Sequence, residues 1–449
     1  TPGAMGAALT LVLSQILLVC VLLGMGRGIG AVAGFLPVVN PLFPLAVSFL
    51  AVPLCRVLWD ARAAADQGIF LDDEAAAAEA PRGRKSSARL ADLAFRPLPL
   101  GSVRPKGWLR RQLRLQADGL SGHLDEFWPD VGQSQWFGGT AEGWERAPYW
   151  LDGAIPLAWI LGDEPLKARL TRYIDFIVTH QRQDGWYSPY PEDAVAKRYD
   201  MWAILLANKV LVQYHEATGD ARALEAVVKS LKAIVAGLDR TPLYGWGKFR
   251  WYEGLVSVYY VYERTREPWL LDLARKLRAQ GVDFEALYRT EDIQRPTPRR
   301  GLWKWTKHVV NTGMAAKAAA LNWRLDRRPG DKAFASAMIA LLDRAHGQVT
   351  GMFSGDECLA GRNPVQGTEL CAVVEFMYSL EHLFSAFGDA AFGDRLERVA
   401  FNALPATFTA GVGRNRPTWE GSKNLLLQPA MAASRAQAVS CTPALRVKS

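Results

Sequence analysis

Cysteine is scarce. The 449 residues hold five, at positions 20, 55, 358, 371 and 441, an odd number without regular spacing, which excludes a disulfide scaffold. A basic block is also missing. The net charge is +8, but Lys and Arg are spread along amphipathic segments, so no nucleic-acid partner is expected. There is no Gly-rich phosphate loop, no nucleophile elbow and no His-x-x-x-His metal pair, so those chemistries lack a signature here. Strand signals are weak beyond the N-terminal stretch.

What is present begins with tryptophan. There are 16 in a chain that is otherwise of ordinary globular composition, 49% hydrophobic and 22% charged. Trp beside Gly and acidic residues lines carbohydrate clefts; large helices packing on Trp are the plainer explanation. Residues 5–25 form an apolar run long enough to cross a bilayer, and 29–54 form a second run broken by Pro37, Pro41, Pro44 and Pro53. Residues 1–55 are therefore expected to be a membrane anchor or hairpin, placing the protein at a membrane or in the secretory pathway. A cleaved leader, giving a soluble protein, is the alternative. Residues 56–97 read as a linker, largely solvated over 56–92. A folded domain is expected over 98–409 and an irregular, divergent tail over 410–449.

From about residue 105 to 402 the pattern is helical and repetitive. One short mark recurs: Leu161-Gly-Asp163-Glu, Thr218-Gly-Asp220-Ala, Pro329-Gly-Asp331-Lys and Phe387-Gly-Asp389-Ala, with a degenerate copy at Thr265-Arg-Glu267-Pro. Gly closes one helix in a left-handed turn and Asp caps the next by accepting its free N–H groups. The marks lie roughly 45–65 residues apart, one helix pair each. Amphipathic helices are expected at Leu166–His180, Ala221–Leu238, Trp269–Gln280, Ala333–His346 and Ala390–Asn402. Their partners are expected at Tyr149–Leu161, Tyr199–Thr218, Trp251–Thr265, Trp305–Asp326 and Thr368–Phe387. Such pairs stack as an open solenoid or close into an α/α barrel. Aromatic, Gly-rich loops at equivalent ends of successive pairs favour the barrel, because closure gathers them into one pocket. The expected fold is all-α.

The chain is organised around Gly351–Glu381, where a Gly/Pro-punctuated loop carrying Asp356, Glu357 and Cys358 leads into a helix that starts with Glu369 and Cys371. Glu357 reads as a general acid/base or as a solvated loop carboxylate. Glu369 suits a helix N-terminus by charge alone, and Cys371 can be a small buried apolar residue or a thiol with lowered pKa. His308, at a helix start, can bond a sugar hydroxyl or play a structural part. Asp200 and Trp202, and Trp251 and Glu253, hold the same place in two earlier pairs. A polar group beside an aromatic suits a sugar, which has hydroxyls at its edge and C–H groups on its face.

Gly351-Met-Phe-Ser-Gly-Asp-Glu357 followed by Gly367-Thr-Glu-Leu-Cys-Ala-Val-Val-Glu375 resembles the catalytic domain of the β-L-arabinofuranosidase-like glycoside hydrolases, family 127 and its relatives. The resemblance runs from about Leu98 to Thr407 and takes in Trp150-Leu-Asp152, Asp184-Gly-Trp186 and the His308 segment. It implies an (α/α)6 barrel followed by β-sandwich domains. It also implies retaining hydrolysis of a terminal sugar, with a zinc-bound cysteine thiolate as nucleophile. By that resemblance Glu357 is the acid/base and Glu369 and Cys371 are zinc ligands; Trp150, Asp200, Trp202, Trp251, Glu253 and His308 are the residues expected to contact the carbohydrate. The family's remaining ligands are an adjacent Cys pair, which does not occur in this sequence. Cys441, in Val439-Ser-Cys-Thr-Pro443, is the thiol left to serve as nucleophile or ligand. The expected function is removal of a non-reducing terminal β-L-arabinofuranose. An inactive glycan-binding barrel is the alternative, and a barrel hydrolase or epimerase using paired acids or histidines is a third reading.

Overall fold

A computed structural model describes residues 89–189, 199–297, 303–363, 366–406 and 446–447 of the chain. The hydrophobic segment expected over 1–55, most of the linker and nearly all of the tail, Cys441 included, lie outside the described residues.

The described residues are mostly helical with almost no strand, and the longer helices are of two kinds. Helices α3 (Arg146–Leu161), α5 (Trp202–Thr218), α7 (Trp251–Thr265), α9 (Val309–Ala315), α10 (Lys317–Asp326) and α12 (Leu370–Phe387) are buried around most of their circumference. Helices α4 (Glu164–Thr179), α6 (Ala221–Arg240), α8 (Trp269–Gln280), α11 (Gly330–His346) and α13 (Ala390–Arg398) bury one face only. This is the signature of an inner and an outer layer. Each outer helix packs on the inner helix before it, and the inner helices touch in the series α3, α5, α7, α10, α12. Helices α1 (Gly107–Asp118) and α2 (Leu120–Phe127) lie against α3. Trp108 of α1 meets Phe401, in a π-helical turn at Val399–Ala403, with ring centroids 5.9 Å apart. The two ends of the helical series are thus in contact. Among the described residues, α12 is long and apolar enough to cross a membrane, but it is a core helix and mostly buried.

The junctions follow the sequence marks. Gly162, Gly219 and Gly388 take φ of 66°, 74° and 66°. Asp163, Asp220 and Asp389 accept from the amides of Leu166, Arg222 and Ala391 at 3.0 Å, each cap being worth about 1 kcal/mol. At the other two junctions an arginine takes the left-handed position, Arg266 at φ 59° and Arg327 at φ 55°. Gly330 is therefore no terminator. Helix α10 has already ended at Asp326, Gly330 opens α11, and Asp331 holds the Arg328 guanidinium at 2.6 Å.

Two boundaries need correction. The linker expected over 56–97 ends earlier, because Leu90 and Ala91 are buried and the Ala91 amide donates to the Arg324 carbonyl at 2.6 Å. The helix expected over Trp305–Asp326 is interrupted. A 3₁₀ turn at Trp305–Lys307 gives way to an extended His308 (φ −60°, ψ 121°), whose ring caps α9.

Charges fill the space between the inner helices. Lys209 meets Asp152 at 2.9 Å, while Lys317 contacts Glu253 and lies 3.8 Å from Glu375. Both lysines also face the Tyr378 ring, at 4.4 and 5.1 Å.

Candidate active site

The N-terminal ends of the inner helices are tied together by one arginine. Arg250, the residue before α7, is buried, and its guanidinium lies 4.4 Å from the Trp202 ring and 4.2 Å from the Trp246 ring. Its Nε donates to Asn311 of α9 at 3.0 Å, and its terminal nitrogen reaches Tyr149 of α3 at 3.3 Å and Glu145 at 3.4 Å. Trp202 of α5 also donates to Glu145. Four helix starts therefore surround one fixed cation, which the indole faces favour as well.

The loop between α11 and α12 is stitched onto this end by backbone pairing. Gly355 bridges Thr368, and Cys358 bridges His308. The Val309 amide donates to the Glu357 carbonyl at 3.0 Å, and the Glu369 amide donates to the Gly355 carbonyl at 3.1 Å. Gly355, at φ 153°, is required here. A Cβ would come within 2.5 Å of the Cys358 carbonyl and of Val309. His346 anchors the loop from below, accepting from the Gly361 amide at Nδ1 (2.9 Å) and donating from Nε2 to the Ile293 carbonyl (2.7 Å).

This stitching gathers three side chains. One ligand atom each from His308, Glu357 and Glu369 lie within 4.8 Å of one another. His308 Nε2 stands 3.6 Å from Glu357 Oε2, and its Nδ1 accepts from the Asn311 amide at 3.4 Å. Glu357 is half exposed at the rim. Glu369 lies deeper: burial, then the nearby Glu357 charge, hold its carboxyl well above the usual range, against a hydrogen bond with Cys371 and the pull of Arg250. Burial lowers the proton affinity of His308, against its contact with Glu357. Cys371 is half buried beside Glu369. Cys358 is buried, its thiol pushed up by burial, and accepts from the Lys304 amide at 3.4 Å.

The other residues expected at the site are placed elsewhere or differently. Trp150 is in the core, its indole donating to Ser121 at 2.9 Å. Trp251 is likewise buried and donates to the Val282 carbonyl at 3.1 Å. Glu253 lies within the barrel against Lys317. Asp200 serves the backbone, accepting from the amides of Trp202 (3.1 Å), Trp246 (2.8 Å) and Gly247 (2.8 Å). Trp202 forms the floor under Arg250 and is fully buried. Cys441 is outside the described residues. The sequence reading did not single out Arg250, Glu145, Trp246, Trp303 or His346. The available signal for Arg250 was its place one residue before a flagged helix start.

The family model of the β-L-arabinofuranosidase GH127 catalytic domain matches residues 112–414. A GH127 β-arabinofuranosidase superposes with a TM-score of 0.57 at 14% identity, covering 78% of this chain and 62% of that one. A GH127 β-L-arabinofuranosidase from Geobacillus stearothermophilus T6 gives 0.51 at 14% identity, covering 76% and 65%. An unsaturated glucuronyl hydrolase specific for heparin gives 0.55 at 11% identity, covering 76% and 99%. At these identities the likeness is one of fold, that of α/α-barrel hydrolases, and the chain spans less than two thirds of these two GH127 structures. No curated protein matches. Because the family model covers more than half of its residues, the chain belongs to the GH127 β-L-arabinofuranosidase catalytic-domain family.

Proposed function

We propose that this protein is a glycoside hydrolase that removes a non-reducing terminal β-L-arabinofuranose with retention, from an (α/α)6 barrel. The observation that carries the reading is the convergence of His308, Glu357 and Glu369 at the end of the barrel where the inner helices begin. Family membership supplies the reaction class. In this reading Glu357 gives a proton to the leaving oxygen and then takes one from the incoming water, and its half-exposed carboxylate supports that role. A cysteine thiolate attacks the anomeric carbon in between.

The residues present suit zinc. Glu369 Oε2 is buried without a hydrogen-bond partner, and the cost of burying its carboxyl, offset only in part by Cys371 and Arg250, is one that a divalent cation would relieve. Glu369 and Cys371 would hold the ion, with Cys441 as a further ligand or as the nucleophile. When bound, zinc lowers the proton affinity of a thiol. His308, kept neutral by burial, is a donor or acceptor for a sugar hydroxyl.

The full chain should release nitrophenol from 4-nitrophenyl β-L-arabinofuranoside and carry one zinc per chain by elemental analysis. Cys441→Ser should lose both. Metal-free protein that retains the sugar without cleaving it would favour the glycan-binding alternative, which the lack of an adjacent Cys pair motivates.

A further inference from the structure

A second feature adjoins the cluster on its outer side. Trp303 is 38% exposed. Its ring centroid lies 4.5 Å from His308, 5.7 Å from Trp246 and 5.7 Å from Trp305. Trp246 and Trp305 meet at 4.6 Å, edge to face, and Trp305 stacks on Phe249 at 5.1 Å. Arg250 fixes Trp246 from beneath at 4.2 Å. The rings around Trp303 are inclined to it by 50° to 78°, so none covers it as a parallel stack. A large indole is thus packed against other aromatics yet left partly open to solvent.

The direction of the site decides what this surface faces. Glu369 turns a solvent-shielded Oε2 inward and Glu357 is half exposed, so a substrate enters with its terminal ring towards Glu369 and its leaving group towards solvent. Trp303 shares His308 with Glu357 and is exposed, which puts it on the leaving-group side. A sugar ring has a flat C–H face that carries partial positive charge, and an indole face carries the opposite sign. We propose that Trp303, buttressed by Trp246 and Trp305, is the platform on which the second sugar ring of the substrate stacks. The substrate is then a glycan with at least two rings, and Trp303 sets the preference for a sugar over a small leaving group. This inference rests on the proposed reading of the cluster as a glycosidase site.

The test is calorimetric binding to the full chain carrying Glu357→Gln, which stops turnover. The probes are methyl β-L-arabinofuranoside and a β-L-arabinofuranosyl-arabinose disaccharide. With Trp303 in place, the second ring should tighten binding by about tenfold, the scale of one stacking partner. Trp303→Ala should abolish that gain, and Trp303→Phe, which keeps a ring, should restore part of it. The ratio of the two affinities within each variant cancels any general loss of structure. A second-ring gain unchanged in Trp303→Ala, or no gain with Trp303 present, overturns the platform. If the wild-type chain hydrolyses neither sugar but the Trp303-dependent ratio persists, the glycosidase reading fails while the platform stands.

Discussion

Lys317→Met is the most informative perturbation of the barrel interior. Lys317 is fully buried between Glu253, which it contacts, and Glu375 at 3.8 Å. At an effective dielectric of about 20, a unit charge pair at that separation is worth about 4 kcal/mol, and the Glu253 contact is closer still. Desolvation of the three groups offsets much of this gain while all are present. Remove the lysine, and Glu253 and Glu375 lose the cation buried between them. The expected loss is about 3–5 kcal/mol, the usual result of breaking a buried pair from one side. Urea unfolding followed by far-ultraviolet circular dichroism reads it as a lower midpoint at similar slope. The triple variant Lys317→Met, Glu253→Gln, Glu375→Gln should recover most of the loss, since no charge is then stranded. A single-variant loss below about 1 kcal/mol would refute the reasoning, because it would mean that the network is hydrated or already neutral.

Gly355→Ala should lower kcat/KM by about a hundredfold, since displacing the Glu357 loop by an ångström costs that much in alignment; an unchanged rate would show that the loop does not position the acid. Asp200→Ala should destabilise by about 3 kcal/mol, as three backbone amides lose a charged acceptor, and a chemical denaturation midpoint that does not move would contradict the role given to it. His346 binds as a neutral ring, and burial lowers its folded pKa below the ordinary value of 6.5. The unfolded chain therefore takes up its proton first, so stability is full above that value and declines as pH falls below it. His346→Gln should flatten the dependence of the urea midpoint between about pH 7 and pH 5; an equally steep slope would point to another group.

The helical alternation was legible because its signals are local. A Gly that closes one helix and an Asp that caps the next are read within four residues, and the expected α7 and α8 agree with the observed Trp251–Thr265 and Trp269–Gln280. The left-handed arginines were not legible, because nothing in an Arg side chain marks a positive φ. The positions of Trp150, Trp251 and Glu253 could not be read either. An inner helix is buried on every side, so periodicity does not separate the mouth from the axis or the core. Asp200 looked like a ligand-binding acid because the Trp246 and Gly247 amides it serves come from a loop distant in sequence. Of the cluster, Glu357 and Glu369 were readable from one loop-to-helix stretch, and His308 from its own helix start. That one arginine ties four helix starts together is a property of the folded chain, visible only once the inner helices are side by side.

The central claim is that Glu357 protonates the departing oxygen, and leaving-group dependence tests it most directly. For Glu357→Gln, kcat/KM should fall by about 10³-fold on methyl β-L-arabinofuranoside, whose leaving group needs a proton. It should fall far less on the 2,4-dinitrophenyl glycoside, whose leaving group departs as a stable anion. Equal losses on both substrates, or no loss on the methyl glycoside, would contradict the account.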